Sequence, residues 1–245
     1  MTAVVLTRPR ADSERLSQAL QSKGYQTLVM PIMTIEAIPA AERLPGPAVS
    51  DDTLCIFISA NAVRFGLPQL GPDLKRYPDL TVIAVGNKTR NTLAAEGIHA
   101  QVPDWPDSEG LLAMPALSAS DARDVLIVKG EGGREVLASE LTRRGAKVTE
   151  WSCYRRCWPD LDISGLADIG AGLIFQASSG EMLSRLAVLL AGEGQADLFQ
   201  SSIVVPSDRV ARLALKMGWE QVIRAEDASD DAFIRALKQH TARNQ

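Results

Sequence analysis

The strongest constraint on this chain is that one sequence pattern occurs in it twice. The segments 4–27 (VVLTRPRADSERLSQALQSKGYQT) and 125–148 (VLIVKGEGGREVLASELTRRGAKV) align without a gap, and Gly24 falls on Gly145, an offset of 121 residues. The segments 81–97 and 202–218 keep the same offset. Repetition at a fixed distance indicates a tandem duplication, here of a unit covering roughly 1–121 and 122–245.

Each copy alternates short apolar runs with helical periodicity. The predicted strands are nearly continuous in apolar residues, which is typical of parallel strands covered on both faces; they are 4–7, 54–58, 82–85, 125–128, 172–176 and 203–205. Glycines stand where the intervening helices should end, the position that favours a left-handed backbone; they are Gly24, Gly97, Gly145 and Gly218. The pattern predicts an α/β protein with two doubly wound parallel sheets of the flavodoxin-like kind.

Composition excludes several classes of function. The 245 residues are 46% hydrophobic, which suits a globular core, and the net charge of −4 argues against a nucleic-acid partner. There is no apolar run of the roughly 18 residues that a membrane helix needs, and no export signal, so a cytoplasmic location is expected. Cys153 and Cys157 lack a third ligand nearby, and the two histidines are far apart, so no metal site is predicted.

The glycine-rich turn at 130–135 (GEGGRE) invites comparison with nucleotide-binding loops. Glu135 stands where the dinucleotide motif requires its last glycine, and the equivalent turn in the first copy has no glycine. No P-loop pattern occurs. The turn is therefore interpreted as a tight strand-to-helix connection, and no nucleotide cofactor is predicted.

Polar donors and cations recur after the predicted strands of both copies. They are Arg8, Ser59, Asn61, Asn87, Lys88 and Thr89 in the first copy, and Lys129, Arg134, Ser178, Ser179, Ser207 and Arg209 in the second. Ligands of open α/β sheets bind at the carboxyl ends of the strands, where helix N-termini offer free N–H groups to anions. Any one serine could be only a helix cap, but the recurrence predicts that these edges hold a polyanionic ligand.

Ordered motifs along nearly the whole chain resemble the uroporphyrinogen-III synthase family. They are LTRP, FISANAV, AVGNKT, SEGLL, the segment 125–148 followed by CYRR, ASSGEML and VPSDRVARLA. The resemblance implies two α/β domains joined by a two-stranded linker, with crossings near 33–40 and 152–159. It therefore divides the chain into 1–36 with 158–245, and 37–157, whereas the duplication alone suggests a split near 121.

The family resemblance also implies an activity. Such enzymes cyclise linear hydroxymethylbilane to uroporphyrinogen III, with inversion of ring D, in haem biosynthesis, without cofactor or metal. The eight substrate carboxylates would then be the ligand of the polar edges. A monomer is expected, with the enzyme that produces hydroxymethylbilane as a possible partner.

The resemblance places one catalytic candidate, Tyr154 in CYRR, as the general acid for the departing hydroxide; packing within the linker is the alternative role for this residue. Two departures from the family pattern stand at substrate turns: Gln176 replaces a small hydroxyl residue and Pro206 replaces a glycine. Two other functions stay open on the sequence. A non-catalytic bilobal polyanion-binding protein would show the same edges, while a nucleotide-sugar transferase would need a diphosphate loop that is not found.

Overall fold

The computed structural model describes residues 3–39, 41–42, 47–77, 79–118, 123–132, 136–169 and 172–243. The chain divides into two compact units. The first unit is Met1–Thr34 with Cys157–Gln245, and the second unit is Ile35–Arg156. The boundaries expected from the sequence, after 36 and after 157, fall beside these. Arg134 and the end of the glycine-rich turn, 133–135, lie outside the described residues.

The first unit contains a five-stranded parallel sheet. Its strands are β1 (Ala3–Leu6), β2 (Gln26–Val29), β8 (Leu173–Gln176), β9 (Ser202–Val205) and β10 (Gln221–Arg224), in the spatial order β10-β9-β8-β1-β2. Numbered within the unit this is 2-1-3-4-5, the flavodoxin-like order. Its helices are α1 (Arg10–Gln21), α7 (Gly180–Gly192), α8 (Asp208–Lys216) and α9 (Asp230–Arg243), with short 3-10 helices at Ser164–Ile169 and Ala196–Gln200.

The second unit also has a five-stranded sheet, in the order β3-β7-β6-β4-β5. Its strands are β3 (Thr34–Ala37), β4 (Leu54–Phe57), β5 (Thr81–Ala84), β6 (Asp124–Gly130) and β7 (Lys147–Cys157), and β4, β5, β6 and β7 pair in parallel. Its helices are α2 (Ala60–Arg76), α3 (Asn87–Ala95), α4 (Ser108–Ala113), α5 (Pro115–Ser118) and α6 (Val136–Arg143). The predicted fold class, two-domain α/β with mostly parallel sheets, is confirmed.

The two sheets show the duplication with exchanged halves. The first unit combines β1 and β2 of the first repeat with β8, β9 and β10 of the second repeat. The second unit combines β6 and β7 of the second repeat, the copies of β1 and β2, with β4 and β5 of the first repeat. Among the described residues, the second unit has no strand that corresponds to β10: at the equivalent place a single parallel bridge joins Ile83 to Gln101. The crossing segments expected near 33–40 and 152–159 contain β3 and the end of β7, which are neighbours in the second sheet.

Burial explains why the strands are continuous in apolar residues. Val5 and Phe175 pack into the core on one face of the first sheet, while Val4 and Ile174 pack into the core on its other face. The second sheet repeats this arrangement with two cores of its own. Alternate residues thus enter opposite cores, so both faces require apolar side chains.

The helix-ending glycines behave as the sequence predicts. Their φ angles are +85° at Gly24, +78° at Gly97, +89° at Gly145 and +96° at Gly218. A residue with a Cβ is strained in this left-handed region. The duplicated positions therefore keep the same backbone requirement. Of the helices in the described part of the chain, none is both long enough and apolar enough to cross a membrane.

Candidate active site

Serine side chains cap the helices that follow four of the strands, β4, β8, β9 and β10, the last through Ser229. Ser59 Oγ accepts a hydrogen bond from the Ala62 N–H (2.9 Å) at the start of α2. Ser179 caps α7 and Ser207 caps α8 in the same way, at 3.2 and 3.4 Å. A cap satisfies only one of the N–H groups exposed at a helix start. Free amides therefore remain at the carboxyl edge of each sheet, and capping alone does not use up the capacity of these turns to bind anions.

A β-bulge in β7 sets the direction of Tyr154. Lys129 lies opposite Ser152, but Gly130 lies opposite Tyr154, so Cys153 is the extra residue on β7. As a result the alternation of buried and exposed side chains breaks, and Cys153 and Tyr154 are both buried. Bulges re-aim side chains in this manner, often beside active sites. The Glu131 N–H donates to the Tyr154 carbonyl oxygen (2.8 Å) and holds the strands together past the bulge.

The Tyr154 ring occupies a closely fitted position in the second unit. Its hydroxyl lies 3.0 Å from Ser59 Oγ, within hydrogen-bond distance, and its ring centroid lies 5.8 Å from that of Phe65. The ring packs against the backbone of Gly130, where a Cβ would come within 2.5 Å of two ring carbons. The side chain is therefore held along its length, and its hydroxyl contacts Ser59 Oγ, which caps α2.

The two strand-end cations, Arg8 and its duplicate Lys129, are buried and already paired. Arg8 donates to Asp230, and Lys129 donates to Glu150. The Gln176 amide faces the Arg8 guanidinium and, with its oxygen on that side, accepts from Nη2 at 2.9 Å. Gln176 is therefore a partner for Arg8. The charges of Arg8 and Lys129 are balanced within the protein, and their role as substrate contacts stays a prediction.

Of the other predicted donors, Asn87, Asn61 and Arg209 are more accessible, whereas Thr89 is buried. Asn87 and Arg209 are exposed at the starts of α3 and α8, and the Arg209 guanidinium lies 3.5 Å from the place of a Cβ on Gly180, at the start of α7. Asn61 is half-buried in the first turn of α2. Thr89 is 3% exposed and forms no side-chain hydrogen bond with any residue that the structure describes.

Pro206 and Ser178 line one small pocket at the carboxyl edge of the first sheet, together with Arg8 and Gln176. A larger pocket in the second unit, lined by residues that include Asp79 and His99, is lined by none of the predicted site residues. The sequence had no signal for Gln176 as a partner of Arg8, because the contact joins residues distant in the chain.

Metal-binding side chains do not cluster in the described residues: no group of three or more His, Cys, Asp and Glu could hold an ion. The three cysteines are free thiols. Burial raises the pKa of the Cys55 thiol to about 12, so it remains protonated at neutral pH. Cys153 donates its S–H to the Lys129 carbonyl oxygen (3.4 Å), as a core residue does.

Comparison with known proteins decides the family. A family model described as uroporphyrinogen-III synthase HemD matches residues 14–235. The chain belongs to the uroporphyrinogen-III synthase family. Two curated members, from Salmonella typhimurium and Escherichia coli, are each 32% identical to it, over 96% of this chain and 100% of theirs.

Solved structures of family members share the fold. A uroporphyrinogen-III synthetase from Helicobacter pylori aligns with a TM-score of 0.59 at 16% identity, covering 99% of both chains. A mutant uroporphyrinogen III synthase from Thermus thermophilus aligns with a TM-score of 0.58 at 17% identity, covering 98% of this chain and 100% of that one. At these identities the likeness supports the fold alone.

Proposed function

We propose that this protein cyclises hydroxymethylbilane to uroporphyrinogen III with inversion of ring D, releasing water, in haem biosynthesis. Membership of the synthase family supports this activity. The observation that supports the site assignment is the Tyr154 hydroxyl, within hydrogen-bond distance of Ser59 Oγ at the carboxyl edge of the second sheet. A non-catalytic polyanion-binding protein would need the exposed donors but no acid, and in it Tyr154 would serve only in packing.

The reaction needs an acid at one point. The hydroxyl group of the substrate leaves from its hydroxymethyl carbon, and a proton from the Tyr154 O–H turns it into water. The carbon left behind is an azafulvene cation. Inversion of ring D requires this cation to bond to the ring D carbon that already carries the bridge to ring C; the old bridge bond then breaks and leaves a cation on the bridge carbon. That bridge carbon bonds to the other, unsubstituted α-carbon of ring D, which loses its proton. A positioned general acid typically contributes 10²–10⁴-fold to such a step.

Ser59 is well placed to support that proton transfer. Its Oγ accepts the Ala62 N–H, so its own O–H is available to donate to Tyr154 Oη, 3.0 Å away. With that donor in place, the phenol O–H can point to the leaving group, and the phenolate formed by the transfer keeps a hydrogen bond. The N-terminus of α2 also favours negative charge close to it.

Polar groups at the carboxyl edge of each sheet are proposed to bind substrate carboxylates. Arg209 and Ser178 contribute donors in the first unit, and Asn87 and Asn61 contribute donors in the second, where Thr89 adds a buried hydroxyl. The free amides beside Ser179 and Ser207 add further donors. Arg8 and Lys129 remain proposed substrate contacts, and each is buried and paired with an acid of its own unit. Many modest donors fix a polyanion in one geometry, and positioning is itself a large part of catalysis.

The proposal also covers the compartment, the oligomeric state and the partners of the protein. We propose a cytoplasmic monomer without metal or cofactor, which receives hydroxymethylbilane from the enzyme that makes it. Three free thiols support a reducing compartment. Because hydroxymethylbilane is unstable and closes spontaneously, rapid delivery from its source would limit loss to the wrong isomer.

The isomer composition of the product tests the proposed activity. Hydroxymethylbilane generated enzymatically is incubated with the protein, and the oxidised products are separated by chromatography. Isomer III is expected as the main product. Uroporphyrinogen I alone, formed at the rate seen without protein, would reject the synthase activity and favour a binding protein.

A further inference from the structure

Trp105 lies at the carboxyl edge of the second sheet. A parallel bridge joins Gln101 to Ile83 of β5, so the chain at 101 runs in the same direction as β5. Residues 102–107 therefore leave the sheet at the same edge as the β5–α3 turn. Pro106 Cβ lies 3.1 Å from the place of a Cβ on Gly86, the residue before α3. Trp105 thus neighbours the turn that carries Asn87 and Thr89.

The backbone that carries the indole is held firmly. The Trp105 carbonyl oxygen accepts the Asp107 N–H at 2.9 Å, and the Asp107 carboxylate accepts the Gly110 N–H at 2.8 Å. Gly110 approaches so closely that a Cβ there would lie 2.1 Å from the Trp105 carbonyl oxygen. Only glycine fits at 110, so the segment is fixed in place before α4.

The indole itself is left in solvent. Trp105 is 69% exposed, whereas Trp151 and Trp219 are each 1% exposed in the two cores. A large aromatic side chain on a rigid backbone is suited to stacking, because little conformational entropy is lost when a flat ligand covers it.

We propose that Trp105 stacks on the face of one pyrrole ring of the linear tetrapyrrole. This inference rests on the proposed function, which supplies the ligand: pyrrole rings that bear carboxylates. At the start of α3, the exposed side chains of Asn87 and Lys88 suit the carboxylates. They offer nothing to the apolar ring faces, which an offset-stacked indole covers.

Steady-state kinetics of Trp105→Ala and Trp105→Phe test the assignment. Loss of the ring should raise KM for hydroxymethylbilane about three- to tenfold, which corresponds to about 0.6–1.4 kcal/mol, with kcat within twofold. Trp105→Phe keeps an aromatic face and should recover most of the affinity. The matched control is Leu215→Ala, which removes another exposed apolar side chain (58%) from α8 and should leave KM unchanged.

Tryptophan fluorescence gives a readout that does not depend on turnover. Uroporphyrinogen III, kept reduced under anaerobic conditions, should shield the wild-type protein from acrylamide quenching, and Trp105→Phe should lose most of that shielding. Unchanged KM in Trp105→Ala, a fall in kcat alone, or equal shielding in Trp105→Phe would each overturn the stacking role. If the wild type made no isomer III, the proposed function itself would fail, so the two failures are distinguishable.

Discussion

Gly130→Ala adds one methyl group and removes no polar atom, yet it should disable the candidate acid. The new Cβ would lie 2.5 Å from Cε2 and Cζ of Tyr154 and 3.0 Å from its Oη. Because carbon atoms in contact are about 3.5–4.0 Å apart, the ring must move by about 1 Å. The hydrogen bond to Ser59, now 3.0 Å, would then stretch beyond its normal range.

The expected effect follows from that displacement. A misplacement of about 1 Å can cost about 10²-fold in rate, or about 2.7 kcal/mol in the barrier. Initial rates at saturating hydroxymethylbilane should fall by that factor, and isomer I should appear because the substrate also closes without help. Overpacking costs about 1–3 kcal/mol of stability, so chemical denaturation must confirm that the variant is folded under assay conditions.

Two further variants make the interpretation specific. Gly192→Ala is the control, since a Cβ at this exposed position in α7 meets nothing within 4 Å and should leave activity unchanged. In a Tyr154→Phe background, Gly130→Ala should cost little more, because the group it displaces is already lost. If folded Gly130→Ala turned over within threefold of the wild type and gave pure isomer III, the fitted position of Tyr154 would not matter.

The remaining predictions concern the cap, the thiols and acid stability. Ser59→Ala should slow turnover about tenfold, but it should add little to the effect of Tyr154→Phe. Ser229→Ala, which removes the equivalent cap of α9, is the control and should not slow turnover. If the effects of Ser59→Ala and Tyr154→Phe were additive, Ser59 would have no part in the proton transfer. Of the three thiols, only the half-buried Cys157 should react quickly with a thiol reagent under native conditions, and fast loss of all three would contradict the burial. Hydrogen bonds from two arginines lower the pKa of Glu140 from 4.5 to about 2, so its contribution to stability is complete above pH 4.5 and is lost as the pH falls towards 2. The stability difference between wild type and Glu140→Gln should therefore shrink over that window, and a constant difference would argue against the ion pair.

Local periodicity predicts much of the fold. The apolar runs that form β1, β4, β5, β6, β8 and β9 are buried on both faces, so their apolar composition predicts these strands. β2 and β10 were not predicted, because their residues are half-buried or exposed and carry a weak apolar signal. Which copy supplies which half of each sheet is not a local property; only the family resemblance indicated the exchange.

In the candidate site too, local features could be predicted from the sequence, whereas contacts between distant segments could not. Ser59, Ser178 and Ser207 were predicted as caps near helix starts. Ser59 and Ser207 are caps, but the cap of α7 is Ser179 and not Ser178, because a one-residue shift of a helix start is not visible in the sequence. The contacts of Tyr154 and Arg8 could not be predicted, since they join segments far apart in the sequence. The bulge that turns Tyr154 depends on the register between two strands, which the sequence of neither strand reveals.

Tyr154→Phe, assayed for rate and isomer composition, tests the central claim most directly. The variant removes the hydroxyl and almost no volume, so the ring should still pack against Gly130 and Phe65. Turnover should fall about 10²-fold, or about 2.7 kcal/mol, with isomer I leaking into the product. Ser207→Ala, which loses one donor among many, should cost tenfold or less. If Tyr154→Phe kept the wild-type rate and gave only isomer III, the hydroxyl would not be the acid, and Tyr154 would serve only in packing.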